Sequence, residues 1–177
     1  MTSRLAVLAL IATIAAVPAR ADWAPETTYV RDCINAASRA HKVPAVLLVL
    51  LLRVEGGRLG AVSQNTNDTV DIGPMQVNST WVHKMAQRWN SSDEAAFKAL
   101  RDNLCANLEG GAWILRAGLD EARGDLWEGV AFYHSHSPEH KQRYLGLLWQ
   151  QVTRMQLTAP VPSPSGQQQT KIQEAAR

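Results

Sequence analysis

The chain has 177 residues, 19% of them charged, and a formal charge of +2. Arg4 and Arg20 account for that excess, and without residues 1–21 there are 16 basic side chains against 16 acidic ones. A neutral remainder with no basic stripe argues against nucleic-acid binding.

Residues 1–21 read as a cleavable signal peptide. Arg4 is a short basic region, Leu5 to Val17 an apolar one, and Ala19-Arg20-Ala21 a small-residue cleavage site before Asp22. The apolar stretch is shorter than the roughly 20 residues that span a bilayer, so no stable membrane span is expected. Export to the periplasm is the expectation. About 156 residues then remain, enough for one domain with its own core.

Apolar spacing in that domain, residues 22–157, is helical nearly throughout. Val30, Cys33, Ile34 and Ala37 mark one face of a first helix ending before Pro44. Val46 to Glu55 is apolar on all sides, as a central core helix would be, with Pro44 at its start and Gly56 at its end. Residues 56–78 lack a helical period and predict a long loop with a short hairpin, a length usually tied to function. Val82, Met85, Ala86 and Trp89 follow an Asn78-Ser79-Thr80 cap, and Ser91 with Glu94 reads as a capping box. Leu104, Leu108, Ala112, Leu115 and Leu119 form a long stripe ending near Gly124. A short helix is predicted over Leu126–Tyr133, and Pro138 opens a last one with Tyr144, Leu148, Val152 and Met155 aligned. Residues 158–177, with three prolines and three consecutive glutamines, read as a disordered tail.

Glu55 carries the chemistry. A carboxylate at the C-terminal end of an apolar helix is disfavoured in its charged form by burial and by the negative end of the helix dipole. Both raise its pKa, which suits a group that donates a proton near neutral pH. Asp71-Ile72-Gly73-Pro74-Met75-Gln76-Val77-Asn78 follows, a glycine turn that would set the Gln76 amide beside the acid. The two cysteines, Cys33 and Cys105, admit either a disulfide or two small buried thiols.

The Glu55 helix, Asn65-Thr66-Asn67 with the 71–78 turn, Cys105-Ala106-Asn107-Leu108-Glu109-Gly110-Gly111-Ala112-Trp113-Ile114-Leu115 and the late Phe132-Tyr133 stand in this order. Together they resemble the soluble lytic transglycosylase (SLT) domain, in the branch attached to type IV secretion and conjugation systems, over roughly Arg31 to Tyr144. The resemblance implies an all-α, lysozyme-like fold with at most a small β-hairpin beside the cleft. It implies cleavage of peptidoglycan glycan strands by a monomer without a cofactor, with type IV secretion or conjugation components as partners.

Residue by residue, the resemblance makes Glu55 catalytic and places Ser63, Met75, Gln76, Tyr133 and His134 against substrate. Met75 would lie under the sugar ring, and the Tyr133 hydroxyl would orient Glu55. It favours a Cys33–Cys105 disulfide, since related enzymes place cysteines in these same two helices. Three positions depart from the family pattern: Glu55-Gly56 for Glu-Ser, Gly73-Pro74-Met75-Gln76 for Gly-Leu-Met-Gln, and Tyr133-His134 for Tyr-Asn. His134, His136 and His140 have a spacing that a metal site can show, but no cysteine or H-E-x-x-H pattern accompanies them, so no metal is expected. Two alternatives remain: a hydrolytic muramidase using Glu55 with Asp68 or Asp71, and a catalytically weak wall-binding adaptor.

Overall fold

Pro44 and Gly56 set the ends of the helix around which the domain is assembled. The computed structural model describes residues 24–158; the signal peptide and nearly all of the tail read from the sequence lie outside the described residues. Helix α1 spans Ala24–His41 and α2 Ala45–Glu55. Pro44 is the extended N-cap of α2, and Gly56 ends the helix at φ +62° with its N–H on the Leu52 carbonyl. That left-handed conformation favours glycine, and it gives the Gly56 departure from the family pattern a backbone reason.

A three-stranded antiparallel sheet follows, β1 Val62–Gln64, β2 Val70–Ile72 and β3 Val77–Asn78, in the order β1-β2-β3. The expected hairpin is thus extended by a third strand. Its register pairs Asp71 with both Ser63 and Asn78, and Ile72 with both Val62 and Val77. Because side chains alternate across a strand, Asp71 and Asn78 share one face, and Ile72 and Val77 point the other way into the core.

The remaining helices are α3 Val82–Arg88, preceded by a 3-10 turn at Ser79–Trp81, α4 Asp93–Asp102, α5 Leu104–Glu121, α6 Leu126–Phe132 and α7 Pro138–Thr158. Asn78 caps the 3-10 turn by accepting from the Thr80 N–H. The cap of α4 is Ser92, which accepts from the Ala95 N–H, one residue later than the Ser91–Glu94 box read from the sequence. Asn103 and Asp125 cap α5 and α6 in the same way, each satisfying an otherwise unpaired amide of the first turn.

Helix α5 packs against α1 on one side and α6 on another, and α2 packs against α7. Leu48, Leu51, Leu108, Leu115, Val130 and Leu148 are fully buried where these helices meet. The α2 helix is not apolar-packed on every side as expected: Leu47, Leu48, Leu50 and Leu51 are buried, but Val46 is 58% exposed. The helices packed against α2, which are α1, α5 and α7, leave one stripe of it uncovered.

Two cross-links fix α5. Glu109 pairs with His41 at 2.8 Å and accepts from the Trp89 indole at 2.7 Å, joining α1 and the end of α3 to it. Cys33 and Cys105 form a disulfide, with their Cα atoms 4.8 Å apart, that joins α1 to the start of α5. In the chain-entropy account, closing a loop of 72 residues stabilises the fold by about 4 kcal/mol. The Cys33→Ala/Cys105→Ala protein is therefore expected to lose about that much unfolding free energy in a urea titration. An unchanged midpoint would show that the bond adds nothing to stability.

Candidate active site

Glu55 is the last residue of α2, and the chain turns sharply beyond it. The next glycine, Gly57, lies against the β2–β3 turn. A Cβ there would stand 2.1 Å from the Gly73 carbonyl oxygen and 2.5 Å from Gln76 Nε2, so only glycine allows the approach. This contact sets the end of α2 beside Gln76, as the sequence suggested.

The turn is held from beneath by Asn107 of α5, which is fully buried. Its Nδ2 donates to the carbonyls of Ile72 and Leu100, each at 2.9 Å, and its Oδ1 accepts from the Met75 N–H at 2.7 Å. From above, the Tyr133 hydroxyl donates to the Met75 carbonyl at 2.7 Å. Gln76 adopts φ +47°, uncommon for a residue with a side chain, and its Nε2 donates to Gly73 O at 2.9 Å. A sparsely populated backbone state of this kind persists where neighbours over-determine it.

These pieces border a cleft of about 880 Å³. Glu55, Asp71 and Gln76 lie in its wall, with Tyr133 and His134 at one side and Trp81 at another. The Trp81 ring stands edge-on to Trp113 at 5.7 Å, with the Lys84 ammonium 4.5 Å above it. Along the β1–β2 turn, Thr69 Oγ1 accepts from Asn65 and Asn78 and donates to Asn67. That network orders a polar rim of amides and hydroxyls.

The environment of Glu55 lifts its pKa to about 7, mainly through burial, with the negative charge of Asp71 adding to the rise. One interaction opposes it: the hydroxyl of Tyr144 on α7 donates to Glu55 Oε1 at 2.5 Å. The Tyr144 ring is buried, and the imidazole of His134 stacks on it at 4.6 Å and 9°. Burial and His140 hold the His134 pKa below its usual value. Asp71 keeps its place through the Asn78 amide, which donates to Oδ1 at 2.8 Å.

Several sequence assignments change in three dimensions. The hydroxyl that reaches Glu55 belongs to Tyr144, not Tyr133; Tyr133 supports the turn through Met75 O instead. The spacing of α7 marked Tyr144 as a core residue but could not show which end of its ring met the acid. Met75 is fully buried, its side chain packed against Gly111 of α5 rather than lining the cleft. Ser63 sits exposed on the outer strand and is not part of the cleft wall. Asp68 occupies the left-handed tip of the β1–β2 turn, at φ +62°, and is also outside the wall. Of the two aspartates considered as a second acid, only Asp71 shares the cleft with Glu55. Among the described residues no group of three His, Cys, Asp or Glu side chains could hold a metal ion. His136 instead stacks on Phe132 at 4.3 Å and pairs with Glu121.

A mostly helical, lysozyme-like domain with a small sheet beside the cleft and a half-buried acid at a helix end in its wall defines a class of glycan-cleaving proteins. The chain belongs to the Transglycosylase SLT domain family, which it matches over residues 32–144, and is a lytic transglycosylase acting on peptidoglycan. It is similar to the invasion protein IagB of Salmonella typhimurium (strains SL1344 and LT2) and of Salmonella typhi. Each is 26% identical over 129 residues, covering 70% of this chain and 77% of the relative.

The site generates two expectations. Tyr144→Phe removes the one hydrogen bond that favours the ionised carboxylate, so the Glu55 midpoint should rise above about 7 in a carboxyl-carbon NMR titration; a fall would contradict this account. The second concerns stability. The folded state holds a proton on Glu55 up to about pH 7 that the unfolded state releases near 4.5, so this stabilising contribution is present below that lower value and is lost as pH rises through 7. Glu55→Gln should therefore be more stable to denaturant than the parent at pH 8, by about 3 kcal/mol, and nearly equal to it at pH 4. Equal stability at pH 8 would show that the carboxylate is not strained.

Proposed function

We propose that Glu55 is the catalytic acid and base of a periplasmic enzyme that opens peptidoglycan for an envelope-crossing apparatus of the conjugation or type IV secretion kind. The observation that carries the chemical part is a half-buried carboxyl in the cleft wall, its pKa lifted to about 7 and its oxygen held by a phenol. Such a group is half protonated near neutral pH, so it can both give and take a proton. Glu55 donates to the bridging oxygen of the β-1,4 MurNAc–GlcNAc bond, and the bond to C1 breaks. The resulting carboxylate then accepts the proton of the muramyl 6-hydroxyl as that oxygen closes on C1, leaving a 1,6-anhydro end. No water is consumed, and the internal nucleophile is already in place.

The cleft suits this substrate. Gln76 offers an amide to an N-acetyl or hydroxyl group, the rim of Asn65, Asn67 and Thr69 offers more, and Trp81 offers an apolar face. The periplasmic setting rests on the sequence of residues 1–21. The secretion role rests on the resemblance of the whole pattern. That the curated relatives are named invasion proteins fits a wall-opening enzyme working for a larger process.

A second reading is favoured by one observation: Asp71 faces the same cleft and its charge is felt at Glu55. Asp71 would then activate water or form a covalent intermediate, and the protein would act as a muramidase. Mass analysis of fragments released from purified cell wall separates the two. The first reading gives fragments ending in 1,6-anhydro-muramic acid, and the second gives products heavier by one water with a reducing end. Glu55→Gln should lower activity by about 10²–10⁴-fold, and Asp71→Asn should leave the anhydro product dominant. A folded Glu55→Gln protein with full activity would overturn the assignment, and hydrated products abolished by Asp71→Asn would establish the muramidase.

A further inference from the structure

His134 lies just beyond α6, in the short connection that leads to α7, and its own N–H donates to the Ala131 carbonyl at 3.0 Å. The backbone of His134 is therefore anchored to α6, while the ring its imidazole covers, Tyr144, belongs to α7. The two rings lie almost parallel, at 4.6 Å and 9°, within the range of a stabilising aromatic stack. Beyond the Tyr144 ring is the 2.5 Å bond to Glu55. His134 also borders both the main cleft and a smaller cavity of about 160 Å³ formed by Val54, Leu147 and Arg143 with Glu55 and Tyr144. It is thus part of the partition between two spaces that meet at the acid.

We propose that His134 is a positioning residue, clamping the Tyr144 ring by parallel stacking so that the phenol stays directed at Glu55. The proposal deepens the reading of Glu55 as the acid and rests on it for its kinetic part. A phenol hydrogen bond depends on the tilt of its ring, which a single bond at the hydroxyl end does not set by itself. A flat ring on the face of Tyr144 adds a restraint on that tilt from the cleft side. An asparagine at this position, the residue of the family pattern, has no ring to do so. This role differs from a direct contact with substrate, which would need the hydrogen-bonding atoms of the imidazole rather than its plane. The charged and titratable groups around His134 are Tyr144 and His140 from α7, Asp71 from β2 and Glu55 from α2, with Arg143 across the small cavity.

The test compares His134→Ala, His134→Asn and His134→Phe, alone and with Tyr144→Phe. Loss of the stack in the Ala and Asn proteins is expected to lower kcat by about threefold to tenfold with KM unchanged, as the strength of one aromatic stack implies. His134→Phe, which keeps the plane and loses the nitrogens, should recover most of that loss. In the Tyr144→Phe background, His134→Ala should cost nothing further, because the group it steadies is gone. In the substrate-free protein, the Glu55 midpoint followed by carboxyl-carbon NMR should move upward in His134→Ala, as it does in Tyr144→Phe, and stay in place in His134→Phe. This titration is read without catalysis, so it stands even if Glu55→Gln were to remain active and the reading of Glu55 as the acid were to fail. An active Asn protein with an inactive Phe protein and a raised KM would overturn the proposal in favour of substrate contact. A downward Glu55 midpoint in His134→Ala would overturn it in favour of simple water exclusion, and equal losses in both Tyr144 backgrounds would overturn it as well.

Discussion

The three hydrogen bonds of Asn107 are the interaction on which the site depends. A buried amide is costly unless its donors and acceptor are matched, and here two carbonyls and one N–H meet it. Two of these bonds go to the turn between β2 and β3, at Ile72 and Met75. The turn is thereby registered against α5, the helix that the disulfide and Glu109 tie to the rest of the bundle. Gln76 takes its left-handed backbone from that turn, and Gly57 abuts it, so the end of α2 and the acid are placed by the same brace.

The acid is then tuned by what the helices bring to it. Burial and a neighbouring carboxylate push its proton affinity up, and one phenol pulls it part of the way back. The outcome near 7 is a balance between larger opposing effects, so small movements of Tyr144 matter more to it than distant charges. Stability and chemistry conflict at this residue: the folded protein carries a carboxyl group in surroundings that disfavour its charged form. The firmly tied α5, with its buried Leu108, Ala112 and Leu115, offsets that conflict away from the site.

Much of the fold was legible because it is written in local rules. Pro44 and Gly56 bounded α2, Asn78 capped the turn before α3, and the apolar stripes of α1, α5 and α7 lay where their spacing put them. Local rules were also where the small errors arose. Ser91 and Ser92 are adjacent candidates for one cap, and only the path of the chain selects Ser92. The third strand has two residues, too few to leave a periodic signal.

The sequence by itself determined that a carboxyl group would end an apolar helix and be pressed towards its neutral form, because helix period, helix polarity and hydrophobicity are properties of neighbouring residues. It also put Gln76 in a glycine turn and Cys33 and Cys105 on the helices that their disulfide joins. Only the tertiary structure decided which of two tyrosines, eleven positions apart, would hold the acid. Tyr133 and Tyr144 are equivalent in composition and both line up with the core, but α6 sends one hydroxyl to Met75 while α7 brings the other to Glu55. The same distinction left Met75 in the core and Asp68 outside the cleft, and brought Asp71 within range of the acid. Side-chain partners separated by tens of residues depend on how helices pack, and packing is a sum over the whole core that no local pattern contains.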